Sequence, residues 1–189
     1  MLPESAKFIG NILSWTLRAG CATHLFNEYV YEFTETKGES MLPTLQAQHD
    51  FVHALKKHRL GRDVEIGDLV VALKPSDPDH RICKRITGMP GDVILVDPSS
   101  SSQITNSPNL CIEHDGFNKY VEVPEGHVWV TGDNLSHSLD SRSYSWLPMA
   151  LIKGKIVAVN SMDKLLWDDD GKLWFYNFRW IDNTFVDEL

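Results

Sequence analysis

Residues 38–45, GESMLPTL, contain a serine whose surroundings suit a nucleophile. Gly38 permits backbone conformations that other residues avoid, and Pro43 fixes φ just beyond the serine. Ser40 is therefore expected in a rigid, tight loop that presents its hydroxyl in one orientation. The alternative is an ordinary surface-turn serine, because one short motif carries little information by itself.

A lysine within residues 80–92, HRICKRITGMPGD, offers a base for that serine. Strand residues alternate between faces, so Ile82, Lys84 and Ile86 share one face while Arg85 lies on the other as a solvent-facing cation. Burial between two isoleucines lowers the pKa of a lysine, and only the neutral amine can accept the serine proton. The pattern predicts a Ser40–Lys84 dyad. The alternative is a lysine whose stem packs on the sheet while its ammonium reaches water.

Residues 132–142, GDNLSHSLDSR, form a third polar cluster. A neutral lysine needs a hydrogen-bond partner, and one of the serine hydroxyls here would supply it without adding charge. Asp140 and Arg142 are spaced to point the same way along an extended segment, so we expect them to pair. The alternative is a Ser- and Asx-rich turn closed by a surface ion pair.

Composition excludes several classes of protein. The chain has 18 Lys and Arg against 26 Asp and Glu, a formal net charge of −8, which is the wrong sign for a nucleic-acid binder. Its 189 residues suit one domain, or one domain with an appendage. The 3 cysteines are too scattered for a disulfide framework or a zinc cluster. His49, His53 and His58 lack a carboxylate or cysteine to complete a metal site, so we expect no metal.

The first part of the chain differs from the rest. Residues 8–30 are mostly uncharged, although Arg18 interrupts the middle, so the segment either spans a membrane or lies on it. Lys7 before it and the glutamates after it fit an N-terminus on the inner side and a translocated remainder. We expect residues 1–31 to form a membrane-anchor helix.

Behind this segment the pattern is of short strands separated by turn residues, and a mainly antiparallel β domain is expected over residues 32–165. Residues 98–118 are rich in Ser, Asn and Pro and are expected to form a surface insertion. Residues 119–123 and 127–131 are expected to pair as a hairpin across a Pro-Glu-Gly turn. Residues 166–189 form an aromatic extension, whose strand-like alternation sets Trp174, Tyr176, Phe178 and Trp180 on one face and Phe175, Asn177 and Arg179 on the other. This strand is expected either to dock on a partner or the membrane interface, or to cover the core. Further strands are expected at 51–55, 68–73, 81–87, 92–97 and 152–160.

Residues 28–160 resemble the type I signal peptidases, membrane-anchored serine proteases with a Ser–Lys dyad. The resemblance rests on SMxPT at 40–44, KRxxGxPGD at 84–92 and GDN…SxDSR at 132–142. It implies a mainly β fold behind one N-terminal membrane helix, with no cofactor and no metal. It also implies a role for each matching residue: Ser40 as nucleophile and, through its N–H, oxyanion donor; Lys84 as general base; Ser138 as the hydroxyl that orients the lysine; Asp140 and Arg142 as a supporting salt bridge; and Asp133 as a structural carboxylate.

The third motif reads LSH at 135–137, which favours the mitochondrial branch of the family. That branch implies an enzyme of the mitochondrial inner membrane that faces the intermembrane space and has preproteins as substrates. Its implied partners are the lipid bilayer and a paralogous second protease subunit. Bacterial members usually carry a hydroxyl residue where this chain has Gly38, so a different second oxyanion donor is expected. Three alternatives stay open: a bacterial-type signal peptidase I, a non-catalytic binding or assembly subunit, and a self-cleaving repressor-like protease. The last would need a helix-turn-helix and basic character, which the sequence lacks.

Overall fold

The computed structural model describes residues 4–96, 114–115, 118–161 and 178–183. The helices are α1 (Glu4–Tyr29) and the short α2 (Ser141–Tyr144), with 3₁₀ turns at Glu39–Met41, Lys56–Gly61, Leu135–His137 and Met149–Leu151. The strands are β1 (Tyr31–Thr36), β2 (Asp50–Leu55), β3 (Leu69–Lys74), β4 (Asp77–Gly88), β5 (Val93–Leu95), β6 (His114–Asp115), β7 (Asn118–Glu122), β8 (His127–Thr131), β9 (Leu147–Pro148), β10 (Ile152–Ser161) and β11 (Phe178–Trp180).

In the described part of the chain, 8 strands form one sheet in the order β1-β2-β10-β3-β4-β8-β9, with β11 paired to β10. A second sheet has the order β5-β7-β6. Every strand pair is antiparallel. The expected mainly antiparallel β fold behind one N-terminal helix is confirmed.

The hairpin expected over residues 119–131 is wrong. Its turn is present, with the His127 N–H bonded to the Pro124 carbonyl at 3.2 Å, but β7 pairs with β5 and β6 while β8 pairs with β4 and β9. The two strands pack against each other without pairing: Trp129 of β8 lies in the same apolar cluster as Val121 of β7, while Val128 and Val130 of β8 pack with Ile86 in another cluster. A local turn therefore does not decide which strands form a ladder.

Two apolar clusters cover the two faces of β3 and β4. We call the first the loop-side cluster, because it includes Met41 and Leu45 of the serine loop together with Val52, Ala54, Leu69, Val71, Ile156 and Val159. The second contains Val64, Val70, Ala72, Ile86, Val128, Val130, Leu147 and Ile152. Since successive β3 residues alternate between the two clusters, the middle of the sheet is buried on both faces.

Helix α1 leaves most of its apolar side chains in contact with solvent, including Phe8, Ile12, Trp15 and Leu17. Its C-terminal end is tied to the sheet by Lys56, whose Nζ donates to the Asn27 carbonyl at 2.7 Å. None of the described helices is both long and apolar enough to cross a bilayer.

The C-terminal aromatic extension is described only over residues 178–183, so Trp174 and Tyr176, which share the aromatic face of the predicted strand with Phe178 and Trp180, lie outside the described residues. The described part contains β11, which adds to β10. The surface insertion expected at 98–118 also lies almost wholly outside the described residues.

Candidate active site

The serine loop, residues 38–45, follows the end of β1 and begins in a conformation that glycine adopts readily. Gly38 has φ 113°, and its N–H bonds to the Ala47 carbonyl at 2.9 Å. Met41 and Leu45 are 3% and 2% exposed, and the Leu45 N–H closes the turn onto the Met41 carbonyl at 2.8 Å. The loop is thus anchored by its apolar side chains, and Ser40 sits in the 3₁₀ turn beside the buried Met41.

Lys84 approaches this serine from β4. The residue is 4% exposed, as the alternation of apolar neighbours predicted, and it lies opposite Val70 of β3. Its Nζ donates to Ser40 Oγ at 2.8 Å. The structure therefore brings together the two residues that the sequence predicted as a dyad.

Burial governs the charge of Lys84. Desolvation lowers the pKa of its ammonium below the ordinary value of 10.5, and the nearby Arg142 acts in the same direction. The carboxylates of Asp140 and Asp133 oppose this shift without reversing it. No hydrogen bond or ion pair joins a carboxylate to Lys84 within the described residues, so none of them stabilises the ammonium by direct contact.

The third polar cluster closes over the serine loop from the end of β8. The Asn134 N–H donates to the Ser40 carbonyl at 3.0 Å, and the Asn134 side chain donates to the Glu39 carbonyl at 3.1 Å. Gly132 faces the same point: a Cβ placed on it would lie 2.4 Å from the Ser40 carbonyl oxygen and 2.3 Å from Ser138 Oγ. Only a residue without a side chain lets the two segments approach this closely.

Asp140 and Arg142 form an ion pair, with Nε and Nη2 of the arginine donating to the two carboxylate oxygens at 2.9 and 3.0 Å. Asp140 is fully buried and also accepts the Gly132 N–H at 3.0 Å. Burial alone would raise the pKa of this carboxyl, but its hydrogen bonds to Arg142 and Gly132 outweigh burial and hold the pKa below its ordinary value.

The expected extended segment at this ion pair is wrong. Residues Ser141–Tyr144 form the short helix α2, and Asp140 is its N-cap, accepting the Arg142 N–H at 3.2 Å. Aspartate is among the best N-cap residues, so a local helical turn competes successfully with an extended chain here.

Ser138 lies at the edge of the same site. Its Oγ is buried beside Gly132. Within the described residues, the hydrogen bond recorded for Lys84 Nζ goes to Ser40 and not to Ser138. The orienting role implied for Ser138 by resemblance therefore stays a prediction.

Arg85 is not the solvent-facing cation expected from strand alternation. It is 8% exposed, and its Nε and Nη2 donate to the two oxygens of Asp133, each at 2.8 Å. A further donor, Nη1, bonds to the Gly67 carbonyl at 2.7 Å. The face opposite Lys84 is also buried, because both sides of β4 are covered, so the guanidinium needs an internal carboxylate.

This ion pair links the three polar segments. The Thr44 hydroxyl of the serine loop donates to Asp133 Oδ2 at 2.5 Å, and Arg85 Nη2 lies 3.4 Å from the same hydroxyl oxygen, Oγ1. Asp133 thus connects the serine loop to the residue next to Lys84. The role of Arg85 was not predicted from the sequence. The signal available there was that Arg85 in one motif and Asp133 in another are opposite charges, each without a charge partner nearby in the chain.

Ser40 and Lys84 line a cleft of about 120 Å³ between the end of β1 and the middle of β4. Its walls include Thr36 and Gly38 on one side and Ile82 and Cys83 on the other. Burial raises the pKa of the Cys83 thiol to about 12, so this cysteine stays protonated and is a poor nucleophile. Ser40 is the hydroxyl in this cleft that contacts a buried amine.

Among the described residues, no group of three or more His, Cys, Asp and Glu side chains could hold a metal ion. Two of the histidines considered above have other partners. His53 Nε2 is 2.7 Å from Asn160 Oδ1, and His58 Nδ1 is 3.0 Å from the Arg62 carbonyl.

An antiparallel β fold that sets a serine hydroxyl against a buried lysine amine is the arrangement on which serine–lysine hydrolases depend. The family model described as signal peptidase, peptidase S26, matches residues 9–160. The chain therefore belongs to the signal peptidase family S26, a family of proteases, and the resemblance inferred from the three motifs is confirmed.

Individual protein sequences agree with this assignment. The chain is 57% identical to mitochondrial inner membrane protease subunit 1 of Saccharomyces cerevisiae over 92% of this chain and 90% of that protein. It is 42% identical to the human protein of the same name, over 77% of this chain and 78% of that one. Mitochondrial inner membrane protease subunit 2 of Schizosaccharomyces pombe is 27% identical over 70% of this chain and 66% of that protein, so a protein named as a second subunit is also similar to this chain. A signal peptidase I structure from Enterococcus faecalis is similar over 50% of this chain and 97% of that one, with 21% identity and a TM-score of 0.37.

Proposed function

We propose that this protein is a membrane-bound serine endopeptidase that removes sorting or signal peptides from preproteins delivered to the mitochondrial intermembrane space. The observation that carries the proposal is the 2.8 Å contact between Lys84 Nζ, on a residue 4% exposed, and Ser40 Oγ. The names of the relatives support the mitochondrial inner membrane as the location, and the signal peptidase family S26 supports proteolysis of signal peptides.

In the proposed mechanism, neutral Lys84 takes the proton of Ser40 while Oγ attacks the scissile carbonyl carbon. The tetrahedral intermediate collapses by breaking the C–N bond, and the leaving amine takes the proton from Lys84. The products are an acyl-enzyme and the first peptide. Water then attacks the acyl carbonyl with Lys84 again as base, which releases the second peptide as a carboxylate and restores Ser40.

The negative charge on the intermediate requires donors. The Ser40 N–H is one, and Gly38 has no hydroxyl to supply another, so a second donor must come from elsewhere around the cleft. Ser138 orients the Lys84 amine in this proposal, while the Asp140–Arg142 pair and Asp133 hold the surrounding segments in place.

Substrate reaches Ser40 as an extended segment that adds to a strand edge beside the cleft. Helix α1, within the proposed anchor of residues 1–31, contacts the lipid bilayer through its exposed apolar side chains. The catalytic domain, residues 32–165, faces the intermembrane space, and residues 166–189 extend it. By analogy with the named subunits 1 and 2, the protein works in a hetero-oligomer with a paralogous second subunit.

The test is cleavage of a preprotein by the full chain in its membrane, with and without the paralogous subunit. Ser40→Ala and Lys84→Ala should each abolish processing. Matched controls are Ser136→Ala and Lys57→Ala, which remove an exposed serine and an exposed lysine that do not line the cleft. All four variants should keep the thermal midpoint of a folded protein.

Near-normal cleavage by Lys84→Ala would exclude the dyad. If Ser40→Ala processed substrate normally with the second subunit present, the chain would be a non-catalytic assembly subunit of the same fold.

A further inference from the structure

The described C-terminal residues, 178–183, form what we call the C-terminal strap. Its strand β11 pairs with β10, with Arg179 opposite Val159 and Trp180 opposite Ala158. The Ile181 N–H extends this pairing to the Val157 carbonyl at 3.0 Å. The strap is therefore an additional strand on the sheet that carries the site.

One side chain of the strap reaches the serine loop. Arg179 Nη2 donates to the Thr44 carbonyl at 2.7 Å, although the chain positions are separated by 135 residues. Ile181 packs against the loop-side cluster, which contains Met41 and Leu45. The strap thus contacts the serine loop through a charged hydrogen bond and through apolar packing on the residues that anchor the loop.

The far end of the strap is fixed independently. Asn183 Nδ2 donates to the Ile66 carbonyl at 2.6 Å and lies 3.4 Å from Asp68 Oδ1. Asp68 is itself 2% exposed and paired with Lys155 of β10 at 2.7 Å. Arg179 is itself paired with β10, and the strap is attached a second time at Asn183, so the backbone that carries Arg179 is held beside Thr44.

The strap lies outside the cleft that contains Ser40 and Lys84. Arg179, Trp180 and Ile181 instead line a separate cavity of about 650 Å³ with Thr44 and the Arg85–Asp133 pair. Among the described residues, none lines both this cavity and the cleft. Arg179 therefore does not line the cleft, and its hydrogen bond to the site is the one to the Thr44 carbonyl of the serine loop.

We propose that the C-terminal strap positions the serine loop for catalysis and that Arg179 is the positioning residue. Asn134 and Asp133 hold the loop from the β8 side, through the Ser40 carbonyl and the Thr44 hydroxyl. Arg179 holds it at the Thr44 carbonyl from the C-terminal side. Thr44 is thus bound at both its side chain and its backbone, and the orientation of Ser40 Oγ toward Lys84 depends on both attachments.

The proposal rests on the proteolytic function proposed above, and the kinetic test uses full-length protein in its membrane. Arg179→Ala should lower kcat by about 10-fold to 100-fold, the range expected when a reacting group is misplaced by up to about 1 Å. Because Arg179 does not line the cleft, KM should stay within about twofold of wild type. Arg179→Lys, which keeps a cationic donor, should recover most of the activity. Arg62→Ala removes an exposed arginine that lines neither the cleft nor the cavity beside the strap, and it should behave as wild type.

A second measurement does not depend on activity. Hydrogen exchange at the Gly38 and Leu45 amides, which are bonded to the Ala47 and Met41 carbonyls, should become faster in Arg179→Ala and not in Arg62→Ala. Wild-type kcat with unchanged exchange in a folded Arg179→Ala protein would overturn the positioning role. So would a change confined to KM. If wild type and Ser40→Ala were equally active, the proposed function would fail, while the exchange measurement would still decide whether the strap holds the loop.

Discussion

Gly132→Ala is the substitution that most directly tests whether the backbone of the serine loop must stay where it is. The added Cβ would lie 2.4 Å from the Ser40 carbonyl oxygen, 2.3 Å from Ser138 Oγ and 2.6 Å from Ser138 Cβ. Rotating the Ser138 side chain relieves one contact only. The Ser40 carbonyl is backbone and cannot rotate away, so the loop itself must move.

The size of that movement sets the expected effect. The shortest ordinary contact for a Cβ is 3.4 Å, so the Ser40 carbonyl must retreat by about 1 Å, and a misplacement of about 1 Å at a reacting group costs about 10²-fold in rate. Overpacking should also lower the free energy of unfolding by about 1–3 kcal/mol. We therefore expect kcat/KM for preprotein cleavage to fall about 10²-fold in a protein that still folds.

Gly154→Ala separates these two consequences. Its Cβ would lie 2.9 Å from the Leu55 carbonyl oxygen, also a backbone clash, but neither residue lines the cleft. Both variants should lose stability in denaturant unfolding, Gly154→Ala less because its clash is milder, and only Gly132→Ala should lose turnover. Cleavage by folded Gly132→Ala within about threefold of wild type would contradict a loop that must stay in place, and so would an equal loss of activity in Gly154→Ala.

The ionisable groups lead to three more predictions. Because burial lowers the pKa of Lys84 and the neutral amine is the base, kcat/KM should rise as pH increases through that lowered pKa. A pH profile in which kcat/KM rises only around the ordinary lysine pKa of 10.5 would contradict this. Asp133→Asn leaves the Arg85 charge buried and unpaired, so the free energy of unfolding measured in denaturant should fall by about 3–5 kcal/mol. The double variant Arg85→Met with Asp133→Leu should recover most of this loss. A loss below about 1 kcal/mol in Asp133→Asn would refute a buried pair. Asp140→Asn should lower the free energy of unfolding at neutral pH. The difference in this free energy from wild type should shrink as pH falls through the lowered pKa of Asp140, because the wild-type carboxyl then becomes protonated and also loses its charge. A difference that stays constant down to the acid limit would argue against the ion pair.

Strand alternation predicted the burial of Lys84 correctly because its two neighbours on that face are apolar, and Ile86 is fully buried. The same rule misplaced Arg85. Alternation distinguishes two faces of a strand, but it cannot tell whether the second face is exposed. That depends on Leu69 and Val71, which belong to the neighbouring strand β3 and lie on the side covered by the serine loop.

The short motifs located Ser40, Asp133 and Asp140, yet spacing could not reveal how they touch. The contact between Asn134 and the Ser40 carbonyl joins segments far apart in the chain, and it forms only because Gly132 has no side chain. Arg179 was equally hidden, since its alternation with aromatic residues indicated a strand but not the strand to which it would pair.

Lys84 and Arg85 show why adjacent cations can have opposite fates in one strand. Their side chains leave β4 on opposite faces, so one strand supplies a base to the cleft and a cation to the Asp133 side of the serine loop. Among the described residues, no carboxylate makes an ion-pair contact with the buried ammonium of Lys84, and burial lowers its pKa. The guanidinium of Arg85 stays charged in any protein environment and is neutralised by two hydrogen bonds to Asp133. Exchanging the two residue types would place a permanent charge beside Ser40 and remove the planar donor that matches Asp133, so the order Lys-Arg is required by the chemistry of both faces.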